Sequence, residues 1–376
     1  MYKLEIRNKT AIYLDHRELI KNMYNNDIAV GMEMFELREE IFHFHDRGID
    51  FEDRNAIKRS KTEEYKLAVK VRKSKKRKSE NYTSTPELSN LQIIIEEFLH
   101  LMEQEKIFKP IENNEIEIFP RHWEEISSED FPKFNGTNAT DAYQRCKFGV
   151  HSFIIPPRCK FYNNNVDELT KLLPQLMPTS EFFDLIVLDP PWRNKYIRRL
   201  KRAKQELGYK MLNTVELSQM PIERLVHKQS ILAIWCTNSQ DHQRAIVEEL
   251  LPKWNLRVLH IMHWVKVNTK GQLIGPIDTS GTKKQPFEMI YLACHLENGK
   301  DFSIELQKVT AIFSIPSIVH SHKPPLLPWL KNVLPDNPNC LEIFARYLQP
   351  EFTSIGLEVL KLMDERLYSS YKENLA

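Results

Sequence analysis

The residues best suited to chemistry stand together in Asp189-Pro190-Pro191-Trp192, directly after the apolar run Phe183-Asp184-Leu185-Ile186-Val187-Leu188. That run has the character of a buried parallel strand. Neither proline can donate to a ladder and each holds its predecessor extended, so the strand stops at Asp189. In open α/β sheets, ligands bind beyond the carboxyl ends of strands, which is where Asp189 falls. An ionised Asp is acceptor-only, and the Pro190 carbonyl is a second acceptor in a stiffened turn. Together they suit the two N–H bonds of an exocyclic amine and would draw its lone pair out of conjugation with a ring. Trp192 offers a flat apolar face on which a base could stack. The same four residues also suit a rigid strand-end turn around a buried Trp.

The elements that must hold this turn follow from the pattern around it. From about residue 150 the chain alternates strand and helix. Strands are predicted at 152–155, near Phe161, at 183–188, 231–235, 257–265, 286–293 and 312–315, with helices at 169–176, 240–250 and 326–333. That alternation predicts a parallel-rich, doubly wound sheet over residues 149–376. Residues 1–148 read as an N-terminal, mostly helical accessory extension. Within it, Thr85-Pro86-Glu87 starts a helix with a capping hydroxyl, Pro at the first position and an acid in the first turn. Leu88, Leu91, Ile95, Phe98 and Met102 then recur at helical spacing, giving that helix one packed face.

Further stretches, in order, carry a resemblance. They are Arg193-Asn194-Lys195, His263-Trp264-Val265-Lys266, His320-Ser321-His322-Lys323-Pro324-Pro325, and Leu341-Glu342-Ile343-Phe344-Ala345-Arg346-Tyr347-Leu348-Gln349-Pro350. With Asp189-Pro190-Pro191-Trp192 they resemble the mRNA-adenosine-type methyltransferases, over roughly residues 150–360, and within them the methyltransferase-like protein four branch. The resemblance implies a Rossmann-like methyltransferase sheet with circularly permuted motif order, S-adenosylmethionine as cofactor, and methyl transfer to the N6 amine of adenine in nucleic acid. It points to adenosine, with or without a 2′-O-methyl, in a small nuclear RNA; DNA adenine is the competing substrate, and a catalytically silent nucleic-acid-binding homologue the rival of another class. By the same resemblance Asp189, Pro190, Pro191 and Trp192 are catalytic. Lys323 and Arg346 would contact the donor's carboxylate or ribose, with Glu342 orienting them, and Asn165 and Val166 would lie beside its adenine. Lys266, Glu288 and His322 would line the substrate side.

Two positions depart from the family pattern, which has amides where this chain carries Tyr347 and Leu357, the latter between Gly356 and Glu358 near the ribose and donor tail. Each lost hydrogen bond would weaken donor binding by about 0.5–1.5 kcal/mol.

Composition narrows the classes. The chain has 376 residues, 41% hydrophobic and 28% charged, enough for two domains or one large one with an extension. A net charge of +2 says little, but its distribution is uneven. One basic segment spans residues 54–80 and reads as a nuclear-import signal, with phosphate contact or a solvated linker as alternatives. A second follows Trp192, with Arg193, Lys195, Arg198, Arg199, Lys201, Arg202 and Lys204, and suits a phosphate backbone bound without sequence preference. These clusters disfavour a protein or small-molecule amine as substrate. Only 10 glycines occur and none are spaced Gly-x-Gly-x-x-Gly, which argues against a dinucleotide; a phosphate-free donor has no need of that loop. Five cysteines without a Cys-x-x-Cys pair fit a reduced compartment and no structural zinc. The expected protein is a monomer of the nucleus, with the cytoplasm as a second location, that binds nucleic acid, no membrane and no obligate partner subunit.

Overall fold

The computed structural model describes residues 1–6, 8–25, 33–45, 86–108, 131–178, 181–192, 211–278, 285–298, 308–317, 319 and 321–372. The N-terminal part supplies β1 (Tyr2–Ile6), β2 (Lys9–Tyr13), α1 (His16–Asn25), β3 (Glu33–Leu37) and α2 (Pro86–Gln104). Next come β4 (Gly136–Asn138), β5 (Gln144–Phe148), β6 (His151–Ile155), β7 (Cys159–Tyr162), α3 (Leu169–Leu176) and β8 (Phe183–Leu188). Then follow α4 (Thr214–Ser218), β9 (Val226–Cys236), α5 (Gln240–Ala245), β10 (Leu256–Lys266), β11 (Phe287–His295) and β12 (Val309–Ser314). The chain ends with α6 (Leu327–Leu330), β13 (Cys340–Ile343), β14 (Phe352–Ile355) and β15 (Tyr368–Lys372).

Eleven strands form one sheet in the order β1-β2-β12-β10-β11-β9-β8-β13-β14-β7-β4. Between β2 and β7 the strands run parallel except β11, which is antiparallel to both β10 and β9. β13 and β14 come late in the chain yet lie between β8 and β7, as a permuted order requires. The run that forms β8 is apolar throughout its interior because both faces of the sheet are covered. Ile186 and Leu188 join one core with Leu172, Leu217, Leu250 and Trp254; Leu185 and Val187 join the other with Trp235, Trp264 and Leu330. This is a Rossmann-like, doubly wound arrangement, with Asp189 at the carboxyl edge of its central strands.

Among the described residues before 149 helical positions outnumber strand positions, as expected, yet the region is more than an appended extension. β1 and β2 add to the main sheet, β2 pairing in parallel with β12. β3 pairs with β15, β4 with β7 and β5 with β6, so strand pairs cross residue 148. The cause is β12, whose free edge is covered by β2. The helix expected from Thr85-Pro86-Glu87 forms as α2, and Leu91, Ile95, Phe98 and Met102 are buried against Leu4, Ala11, Tyr13 and Phe313. Each such large apolar side chain contributes about 1.5–3 kcal/mol. α1 buries His16, Ile20 and Tyr24, and the Tyr24 hydroxyl donates to the Leu348 carbonyl at 2.6 Å. That bond ties the N-terminal helix to the segment after β13, beside the site.

Candidate active site

β8 ends in register with β13, Leu188 opposite Ile343, and the turn begins there. The Trp192 amide donates to the Pro190 carbonyl at 2.7 Å, closing a tight turn and using one of that carbonyl's two acceptor positions. The Trp192 indole is buried. Its Nε1–H donates to the Trp235 carbonyl near the end of β9 at 2.8 Å, and His242 stacks on the ring with centroids 4.9 Å apart. This corrects the expectation of an open face for a base. A buried indole N–H requires an acceptor, and β9 provides one, so Trp192 pins the turn to the sheet. Of the two readings the sequence allowed for this Trp, the rigid turn around a buried ring is the one the structure shows.

Asp189 is the centre of a charged cluster. Its Oδ2 accepts from Ser321 Oγ at 2.7 Å, and its Oδ1 lies 3.8 Å from Lys323 Nζ. Lys323 also donates to one oxygen of Glu288, and Lys266 donates to the other. Both ammoniums sit over aromatic rings, Lys323 at 5.0 Å from Trp235 and Lys266 at 4.3 Å from Trp264. Such contacts are worth about 0.5–2 kcal/mol each. Burial pushes the Asp189 carboxyl above its ordinary value and Glu288 adds to this, against the pull of Lys323 and the Ser321 hydrogen bond. Burial also acts to raise Glu288, but Lys266 and Lys323 together overcome it and hold this carboxyl far below the usual range. For Lys323, burial is outweighed by Asp189 and Glu288, which keep it protonated. Four ionisable residues far apart in the chain therefore meet in one cluster.

The donor-side residues gather beyond β13 and β14. Gly356 is required there, since a Cβ would lie 2.5 Å from the Ala345 carbonyl oxygen. Arg346 Nε lies 3.0 Å from Glu358, which also accepts from Lys361 at 2.6 Å. Leu357, partly exposed, stands beside this pair. Asn165 caps the short turn Val166–Glu168, accepting from the Asp167 amide at 3.4 Å, while Val166 packs into the core with Trp192. Glu342 does not orient Lys323 or Arg346 as expected. It is buried, and accepts from Gln349 Nε2 at 2.8 Å. Burial, opposed by that hydrogen bond and reinforced by Asp189, pushes its carboxyl up to about 8. Phe344 explains the difference: its left-handed φ of 69° turns the chain after β13, so Arg346 leaves on another course.

Two further expectations are corrected. His322 does not line the substrate side; it is buried, 4.5 Å from the His16 ring and 5.0 Å from Tyr347. Burial, with His16 and Arg346 nearby, drives its pKa well below the ordinary histidine value, so the ring is neutral. Tyr347 is buried as well, and its hydroxyl donates to the Lys323 carbonyl at 3.2 Å. A large ring with one polar atom is accommodated by packing, so Tyr347 braces the backbone of Lys323. Arg193, Asn194, Lys195, Arg198 and Arg199 lie outside the described residues, as does the basic segment 54–80.

Residues 183–358 match the family model described as MT-A70. Over these residues, just under half of its length, the chain is similar to the MT-A70 family. Human N(6)-adenine-specific methyltransferase METTL4 is 36% identical over 216 residues, covering 56% of this chain and 43% of that protein. The Caenorhabditis elegans DNA N6-methyl methyltransferase is 30% identical, covering 58% of this chain and 56% of that protein. The N6-methyladenosine RNA methyltransferase MTA1 of Pyricularia oryzae is 30% identical, covering 56% of this chain and 55% of that protein. The chain thus spans about half the length of the curated relatives it matches. MT-A70 methyltransferases use S-adenosylmethionine, and the residues at this site fit it. Its cationic, zwitterionic and diol-bearing parts need both acceptors and donors, and Asp189 and Glu358 stand beside Lys323 and Arg346 at the strand ends.

Within residues 183–358, reading by motif missed Ser321, although it directly precedes His322 and Lys323, both of which were singled out. Its i, i+2 relation to Lys323 was the available signal. Trp235 and His16 gave none, because each acts through contacts made only in the fold.

Proposed function

We propose that the chain transfers a methyl group from S-adenosylmethionine to the N6 amine of adenine in nucleic acid, with RNA adenosine as the first candidate. The observation that carries this reading is the buried Asp189 carboxylate at the end of β8, held by Ser321 and faced by Lys323. When bound, S-adenosylmethionine supplies an electrophilic methyl on a sulfonium, which needs neither metal nor strong base. Asp189 accepts an N–H of the amine and the remaining acceptor position of the Pro190 carbonyl takes the other, turning the nitrogen lone pair out of the ring. Lys323 and Arg346 are the donors available to the tail of the cofactor, and Glu358 is an acceptor for its hydroxyls. Glu288, kept ionised by Lys266 and Lys323, faces the same space and is an acceptor for the base.

Adenosine of a small nuclear RNA, with or without a 2′-O-methyl, is the particular substrate we favour, from the likeness to the methyltransferase-like protein four branch. The names of the relatives support both an RNA and a DNA substrate. A nuclear address through residues 72–78 and action as a monomer complete the proposal. The test is incubation with labelled donor and matched RNA, 2′-O-methylated RNA and DNA oligonucleotides, followed by nucleoside mass spectrometry. N6-methyladenosine in the RNA arms supports the reading, and N6-methyldeoxyadenosine in the DNA arm alone reassigns the substrate. Oligonucleotide binding with no transfer in any arm would overturn the enzymatic reading.

A further inference from the structure

The loop after β12 approaches Asp189 in an unusual backbone state. Ser321 has φ of 61°, in the left-handed region that non-glycine residues seldom occupy. Such strain persists only where the surroundings fix it. Here they do. His322 is sealed into the core against His16 and Tyr347, and the Tyr347 hydroxyl holds the Lys323 carbonyl. With His322 pinned inward, Ser321 and Lys323 on either side reach Asp189. The Ser321 hydroxyl donates to a carboxylate at 2.7 Å, a charge-assisted bond of the stronger kind.

We propose that Ser321 is a positioning residue for Asp189: its hydroxyl takes one acceptor position of Oδ2 and locks the rotation of the carboxylate, leaving the remaining positions for the substrate amine. This rests on the amine-orienting function proposed above. The strained backbone places the hydroxyl, and the buried His322 keeps the backbone there. The same bond favours the ionised form of Asp189, as Lys323 and Arg346 do, while Glu288 opposes it and burial opposes it most. Glu342, the other acid close to Asp189, is buried beside Gln349.

The test compares Ser321→Ala, which removes the hydroxyl and keeps the strain, with Ser321→Gly, which removes both. Both variants should lose about tenfold in kcat, the scale of one hydrogen bond, with KM for donor and oligonucleotide within about twofold of wild type. The acid limb of the kcat profile should move to higher pH in both, because the carboxylate loses a bond that favours its charged form. A Ser321→Gly enzyme with wild-type kcat and an unmoved limb would show that only the backbone matters, and would overturn the assignment. A second readout needs no turnover. The Asp189 carboxyl is followed by carbon-13 NMR, its signal identified by its loss in Asp189→Asn, and it should titrate at higher pH in Ser321→Ala. If it does while no oligonucleotide is methylated by wild type, the enzymatic reading fails and the Ser321–Asp189 assignment stands. An unmoved titration rejects the assignment whatever the activity.

Discussion

Asp189 carries a negative charge into a buried place, and its neighbours settle whether that charge survives. Burial and Glu288 favour the neutral acid, while Lys323 and Ser321 favour the anion. An Asn at this position keeps the size but presents an amide with one acceptor and a donor, which meets the amine's N–H badly. Asp189→Asn is therefore expected to lower kcat by about 10²- to 10⁴-fold while donor affinity changes little, as measured by single-turnover methyl transfer and calorimetry. Wild-type turnover in this variant would remove Asp189 from the reaction. Leu357 raises the opposite case, a residue that withholds a bond. It stands partly exposed beside Glu358, at a position where the resemblance implies an amide. Leu can neither donate to nor accept from a ribose hydroxyl. Leu357→Asn should tighten S-adenosylmethionine binding by up to about tenfold with kcat at saturating donor nearly unchanged. Equal or weaker binding, read by calorimetry, would place residue 357 away from the ribose.

At the level of elements, what was legible in the sequence was what local residues decide. β8 and its terminal turn follow from an apolar run and two prolines, and α2 follows from a capped start and one apolar stripe. The site was legible as a set of types and less so as a geometry. The resemblance implied that Glu342 orients Arg346, yet Phe344 bends the chain between them and each finds another partner. The Trp192 ring looked free because its acceptor, the Trp235 carbonyl, comes from another strand. β1 and β2 were missed because their reason for forming, the open edge of β12, lies some three hundred residues away. α2 offers a direct test of how the N-terminal elements share in the stability of the sheet. Phe98 is fully buried against the strands, with its ring 6.2 Å from that of Phe313. Phe98→Ala should cost about 3–5 kcal/mol in denaturant unfolding, in one transition with the rest of the chain. A separate early transition, or a loss below about 1 kcal/mol, would mean that α2 is only loosely attached to the sheet.

Over the whole molecule, buried titratable groups make stability depend on pH from both sides. On the acid side stand three histidines held neutral by burial: His16, pushed down to about 3, His263, pushed down to about 4, and His322, well below its ordinary value. The unfolded chain protonates them near 6.5, so as pH falls below that value it takes up protons that the folded protein refuses. Their contribution is complete above about 6.5 and is lost as pH falls toward the folded values, at up to about 1.4 kcal/mol per pH unit for each group. On the alkaline side stands Glu342, whose folded value of about 8 lies above its ordinary 4.5. It favours folding below 4.5, and that contribution is lost as pH rises from 4.5 to about 8, beyond which the ion must be buried. Chemical denaturation from pH 5 to 9 should therefore show stability falling below 6.5, and Glu342→Gln should gain on wild type as pH rises toward 9. The acid limb has a sharper test in His16, whose two ring nitrogens are buried without hydrogen-bond partners. An apolar residue there gives up no bond, so His16→Leu should fold and lose stability less steeply than wild type between pH 6.5 and 5. If the two proteins lose stability equally over that interval, His16 is not neutral in the fold, and the packing that joins α1 to the loop around Asp189 is not the one described.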